Sequence, residues 1–410
     1  MKNMRRMLAG LALAAVVAPA AQAATPLIIN SGLSNPPSAK AFAEIVAEFN
    51  KQHPEIKTEV NIYDHEAEKT AIRNWLVASP PDLVYWYPGT RMHLFVKHHL
   101  FADVSDLWKN LDFKSKVSPA VTEQLTWHGK QWGMPYTYYM WGIYYRKDLF
   151  KKYGLEPPKT WDDLLKVSAT LQKNGIKPFA LGDKELWPAA AWFDYLDMRI
   201  NGYAFHEKLC HGKIPYTDPR VRKVFEHWAT LIKNDYFTEN ATSYRWQGAQ
   251  RFLVNGKAGM FLIGSFFQQN IPEDKRDEIG FVRFPQINPD VAMAEDAPID
   301  MFAVPQRAEH KKAAKTFLAF LVKPENQTKL NRALGQLPVV KAAEAPNNPI
   351  LQHQFQIMQK VEHTAQFYDR DNKPEMAKQA MTQFQRFLAY PDQMDSIIKK
   401  LEQARQKVYE

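Results

Sequence analysis

Residues 27–86 carry the pattern that decides the fold. Leu27-Ile28-Ile29-Asn30 is a short apolar run, and Ser31-Gly32-Leu33-Ser34-Asn35-Pro36-Pro37 breaks it. Ser38 then reads as a helix N-cap. Phe42, Ile45, Val46 and Phe49 follow at the i, i+3, i+4, i+7 spacing of one helix face. His53-Pro54 ends that helix, and 57–63 alternates like a second strand. A helix over 67–76 precedes Pro80-Pro81, and Asp82-Leu83-Val84-Tyr85-Trp86 is a third strand. Strands alternating with helices predict an open α/β sheet. Ligands meet such sheets at the loops beyond the strand carboxyl ends, here 31–35, 64–66 and 86–91.

The pattern restarts further along. Trp132–Tyr136 leads into a strand at 142–145. Thr160 and Asp163 form a capping box, and Leu164, Val167 and Leu171 share the face of the helix it opens. Strands are expected at 177–181, 256–264, 280–284 and 301–304, and mostly helix from 309 onward. A chain of 410 residues exceeds what one core usually supports, so two α/β units are expected. No flexible tether is visible, so tight crossings must join them.

Lys2, Arg5 and Arg6, the apolar run 7–17 and Ala21-Gln22-Ala23 match a cleavable export signal over 1–23. No Cys follows the apolar run, so a lipid anchor is not expected, and the mature chain should be a soluble periplasmic protein. The formal charge is +9, and loss of three basic residues leaves +6. The basic residues are spread along the chain, with no basic tail of the kind nucleic acid needs. The single cysteine, Cys210, excludes an internal disulfide and Cys-rich metal modules, and reads as a small residue in a 205–211 turn.

Catalytic motifs are missing. There is no phosphate-cradling glycine motif and no GxSxG elbow. His65-Glu66 starts like HExxH, but Lys69 replaces the second histidine. Neither a cofactor nor a metal is expected. Rings are abundant, at 13% of residues, and they gather at strand ends. Examples are Tyr85-Trp86-Tyr87, Tyr138 with Trp141, Trp187, Trp246 and Phe266. A sugar offers apolar C–H faces for rings to stack on and a rim of hydroxyls for polar side chains. Most rings of any protein are core; those at strand ends are the better ligand candidates.

Several ordered segments resemble a known family. They are Phe49–Ile56, Pro81–Trp86, Leu100–Leu107, Trp127–Pro135, Tyr144–Phe150 with Thr160–Asp163, Phe252–Gly264, and Ala314–Phe320 with Pro324. Together they resemble the extracellular solute-binding proteins of the sugar-binding class, the maltose-binding-protein-like receptors of ABC importers.

The resemblance implies a two-lobe, class II-like periplasmic-binding-protein fold with three hinge crossings, near 136–142, 295–301 and 335–341. The lobes would comprise 24–137 with 299–338, and 138–298 with 339–410. It implies a non-enzymatic, monomeric receptor that passes a small carbohydrate to importer membrane subunits. The implied contacts are His65, Glu66, Trp86, Tyr87, Gly89, Arg91, Tyr138, Trp141, Asp183, Trp187, Trp246, Gly264, Ser265, Phe266 and Asp300. Trp86 and Phe266 would cover opposite faces of the sugar. Two alternatives stay open. One is a glycan-cleaving enzyme using Glu66, Asp183 and Asp300. The other is a receptor for an anionic sugar or polyol derivative, using Arg91, Arg245 or Arg332.

Overall fold

Two β-sheets, each with its own apolar core, organise the chain. The computed structural model describes residues 24–410; the expected export signal lies outside the described residues. In chain order the strands are β1 (Thr25–Ser31), β2 (Ile56–Ile62), β3 (Leu83–Trp86), β4 (Thr126–Trp127), β5 (Lys130–Gln131), β6 (Met134–Tyr138) and β7 (Trp141–Arg146). They continue as β8 (Lys177–Ala180), β9 (Ala258–Gly264), β10 (Ile279–Val282), β11 (Glu295–Asp296), β12 (Ile299–Ala303) and β13 (Thr364–Ala365).

The first sheet has the order β2-β1-β3-β12-β6. Its β1 lies parallel to both β2 and β3, while β12 runs antiparallel to β3 and β6. The second sheet has the order β10-β7-β9-β8, with only β8 and β9 parallel. The chain passes between sheets from β6 to β7, again from β11 to β12, and finally after Gly335, where Leu337 pairs with Tyr138. The first core gathers Leu27, Phe42, Phe49, Leu83, Met134, Phe302 and Phe317, and it extends to Val339 and Val340. The second gathers Ile143, Phe179, Trp192, Phe193, Trp228, Phe261 and Phe384. These are two lobes of mixed α/β structure.

The helix expected to begin at Ser38 spans Pro36–Gln52. Its two prolines open the helix instead of breaking the chain, since proline's missing N–H costs nothing in the first turn. Ser38 is therefore inside the helix, and its hydroxyl donates to Gln269 Oε1 of the other lobe at 2.7 Å. The Thr160–Asp163 capping box forms as expected. Cys210 ends the helix Tyr203–Cys210 and is buried, so the turn expected there is a helix end. Burial pushes its thiol up to about 12, which leaves it protonated and inert.

Candidate functional site

A cavity of about 140 Å³ lies between the lobes, at the carboxyl ends of β1, β2, β8 and β9. Its two walls differ in chemistry. The first lobe supplies Ser34, Asn35, Ser38, Asp64, His65, Glu66 and Lys69 from the loop after β1 and the starts of two helices. The second lobe supplies a wall of rings: Tyr139, Trp141, Trp187, Trp246, Phe266 and Phe367. These rings brace one another. Phe367 stacks on Trp141 at 4.7 Å, and Trp187 meets Trp141 edge-on at 5.8 Å. Phe266 meets Trp246 at 5.1 Å and Tyr139 at 5.3 Å, both edge-on. Such mutual packing fixes ring orientation before any ligand arrives.

Local sequence explains these placements. Asp64 caps the helix His65–Ala78 by accepting from Glu66 N at 3.1 Å, which brings His65 and Glu66 to the cleft. Trp187 opens the helix Trp187–Asn201 after Leu186, a non-glycine residue at φ 70. A register shift in β12 falls between Asp300 and Met301, and a bulge of this kind re-aims a side chain. Asp300 there accepts from Arg370 Nη1 at 2.8 Å. Arg370 also donates to Tyr139 Oη at 2.7 Å and lies 3.9 Å over the Tyr87 ring.

The charges of the cleft are matched internally. Lys69 pairs with Glu66 at 3.3 Å and with Asp369 at 3.0 Å. Arg245 pairs with Glu185 at 3.0 Å and reaches across to Asp64 at 3.4 Å. Burial raises Asp300, with the Arg370 charge opposing it. Burial alone would also raise Asp369, but Lys69, Arg91 and Arg370 outweigh it and hold its carboxyl below the usual range. Burial, helped by the Lys69 and Arg370 charges, depresses His65, so its ring is neutral at pH 7. Behind Gly32, Glu68 is buried with neither carboxyl oxygen partnered; burial and then the Asp300 charge raise it.

Of the residues implied from sequence, His65, Glu66, Trp141, Trp187, Trp246, Phe266 and Asp300 line this cavity. The others lie elsewhere. Trp86 is a core residue: its ring packs on Phe95 at 5.2 Å and its Nε1 donates to Arg91 O at 3.3 Å. Successive side chains of a strand face opposite ways, so with Tyr85 facing the cleft, Trp86 faces the lobe's own interior. Tyr87 is buried beneath Arg370 and contacts His65 Nε2 at 3.2 Å. Gly89, at φ 69, forms the N-cap of the helix Thr90–Lys97, a conformation that suits glycine. Arg91 donates to Asp369 O at 2.6 Å.

Tyr138 is tied to Leu337 at a crossing. Asp183 is buried, accepting from Ala189 N at 2.8 Å near the start of its helix. Gly264 lies behind the Phe266 and Tyr139 rings, and Ser265 is fully buried beside it. Of the arginines in the anionic alternative, Arg245 lines the cleft and Arg332 does not. The opposed pair of rings expected from Trp86 and Phe266 is thus not formed: the first lobe presents Tyr85 in place of Trp86, and most rings lie on the second lobe.

Sequence reasoning missed Tyr139, Glu185, Phe367, Asp369 and Arg370 as site residues. Tyr139 and Glu185 neighbour rings that were singled out. The Phe367–Arg370 segment lies in a region whose pattern announced only helix.

The comparisons agree with this architecture. The family model described as "Bacterial extracellular solute-binding protein" matches residues 19–328. An uncharacterised ABC transporter extracellular-binding protein of Pyrococcus horikoshii is 29% identical over 323 residues, 76% of this chain and 71% of the relative. The solved bacterial solute receptor AcbH, described as preferring β-D-galactopyranose exclusively, superposes with a TM-score of 0.89 at 28% identity. That match covers 94% of this chain and 100% of AcbH. A chitin oligosaccharide binding protein shares the fold, with a TM-score of 0.86 at 20% identity over 93% of this chain and 99% of that one. With more than half of its length matched by the family model, the chain belongs to the bacterial extracellular solute-binding proteins.

Proposed function

We propose that the protein captures a neutral carbohydrate between its lobes and delivers it to the membrane subunits of an ABC importer. One observation carries this reading: a wall of braced rings faces a wall of polar and charged side chains, and the cleft's cations are already held by its own carboxylates. Rings suit the C–H faces of a sugar, and the opposite wall suits its hydroxyls. An anionic ligand would find no uncommitted cation among Lys69, Arg245 and Arg370 and would meet Asp64, Glu66 and Glu185, so the anionic alternative loses support. AcbH's described galactose preference supports a sugar of small size.

The family is one of receptors. The enzymatic alternative loses support, because Asp183 serves its helix start, Asp300 is committed to Arg370 and Glu66 is paired with Lys69. We assign the lobes as 24–137 with 299–338 and 138–298 with 339–410, the crossing residues Tyr138, Val339 and Val340 still packing on the first core, and the working form as a monomer in the periplasm without nucleic-acid partners. No described helix is long and apolar enough to cross a membrane. A thermal-shift panel tests the reading, using D-galactose, D-glucose, D-xylose, disaccharides and chitin oligosaccharides beside uronates and sugar phosphates. A neutral sugar should raise the melting temperature, since it binds only the folded state, and should be recovered chemically unchanged. Stabilisation by the anionic members alone, or cleavage of a glycosidic bond, would overturn it.

A further inference from the structure

Residues 364–371 form a strap that brings Phe367, Asp369 and Arg370 to the cleft. Its start, β13, lies parallel to β11, and Ala297 N donates to Ala365 O at 3.0 Å. The strap is strained: Phe367 has φ 101. Strain of this kind persists only where the surroundings over-determine the conformation. A buried acid beneath the strap and an acid at its end supply that determination. Asp194 Oδ2 accepts from Tyr368 N at 2.7 Å, and Asp371 Oδ2 accepts from Gln366 N at 2.9 Å. Asp296, on β11, is fully buried with neither carboxyl oxygen partnered, and Asp194 Oδ1 also lacks a hydrogen bond.

The groups facing this cluster come from every neighbouring element. The helix Trp187–Asn201 contributes Tyr195, Asp197 and Arg199; the helix Tyr203–Cys210 contributes Glu207, His206 and Cys210, followed by His211. Glu295 comes from β11, Tyr368 and Asp371 from the strap, and Tyr139 from the first crossing. The nearby cations are engaged. His206 Nδ1 meets Asp197 at 2.9 Å, with its Nε2 3.6 Å from Asp194. Arg199 is held by Glu295 at 2.9 Å. Bare carboxylates crowded into a dry pocket cannot all ionise.

We propose that Asp194 and Asp296 are positioning residues of the cleft: as neutral acids they hold the strap in place, and loss of the Asp296 proton releases Phe367, Asp369 and Arg370. Burial, with Asp371 and Glu295 adding to it, pushes Asp296 up to about 8; burial and then Asp296 raise Asp194 well beyond the carboxylate range. Asp371, raised by burial to about 6, already carries its charge at neutral pH. Mildly alkaline solution therefore adds one charge the pocket cannot match. Binding that requires the docked strap must then take up a proton, and affinity falls about tenfold per pH unit beyond that point.

The experiment has two arms, and only the second rests on the sugar-receptor reading. In the first, hydrogen exchange of the ligand-free protein is followed at pH 7 and pH 9, corrected for intrinsic rates. Peptides spanning 364–371 should lose protection at pH 9 in the wild type and keep it in Asp296→Asn. In the second, D-galactose affinity should fall about tenfold between pH 8.5 and 9.5 in the wild type and less than twofold in the variant. Asp296→Ala, which also removes the titrating carboxyl, replaces Asp296→Asn if the latter misfolds. Equal protection of the wild-type strap at both pH values, or identical pH profiles of wild type and variant, overturns the proposal. If D-galactose does not bind, the sugar reading turns to the rest of the panel and the exchange arm alone decides the strap.

Discussion

Gly32 shows how one missing side chain shapes the cleft. A Cβ built there would clash with Glu68 Oε2 and lie 3.0 Å from the Tyr85 ring. Gly32→Ala should therefore lower stability by about 1–3 kcal/mol, the scale of overpacking. Glu68→Ala removes the clashing carboxyl, so the double variant should recover most of that loss in urea unfolding. Simple additivity of the two substitutions would refute the geometry. The loop around Gly32 was legible in the sequence as a strand-end loop. The packing of Glu68 beneath it was not, because residues on separate elements meet there through tertiary structure alone. Trp86 makes the same point from the other side. A ring at a strand end reads alike whether it faces a cleft or a core, and only alternation with Tyr85 separates the two.

At the scale of elements, the ring wall is assembled from five segments: the β6–β7 crossing, the starts of two helices, the end of β9, and the strap. Most of those segments were legible, because strand ends followed by glycine, serine or aromatic residues mark loops. The strap was not, because a two-residue strand carries no periodicity. Phe266 and Trp86 now separate binding from folding. Phe266→Ala should weaken sugar binding by about 1–3 kcal/mol with a smaller change in stability. Trp86→Ala should cost about 3–5 kcal/mol of stability, as large core truncations do, while the folded fraction keeps its affinity. Denaturant titration beside calorimetric binding distinguishes them. The reverse assignment of effects would restore Trp86 to the cleft.

For the whole molecule, the lobes are joined by buried polar ties, Arg370–Asp300, Arg91–Asp369 and Lys69–Asp369, and by the more open Arg245–Asp64 and Ser38–Gln269 contacts. Arg245 and Asp64 are each about half exposed, so salt screens that pair readily. The exposed tie weakens with salt while the buried ones persist, and a ligand that touches both walls supplies the difference in affinity that closes the cleft. Solution scattering should show a smaller radius of gyration with the sugar identified in the thermal panel, most clearly at high ionic strength. An unchanged radius would argue against hinge motion. The two-lobe arrangement was legible because its local patterns recur in order; the imbalance of rings between the lobes was not, because it depends on which way each side chain points.

The second core also has a consequence for how the chain is made. Tyr409 packs its ring against Gly212 and donates to Cys210 O at 2.7 Å, across a separation of 199 residues. It also accepts from Lys373 N at 3.2 Å. The edge of that core is therefore completed only once residue 409 has emerged from the ribosome. Synthesis proceeds at roughly 5–20 residues per second, so the nascent chain spends about ten seconds or more without these contacts. A translocation channel that accepts only unfolded polypeptide would gain that interval from the topology itself.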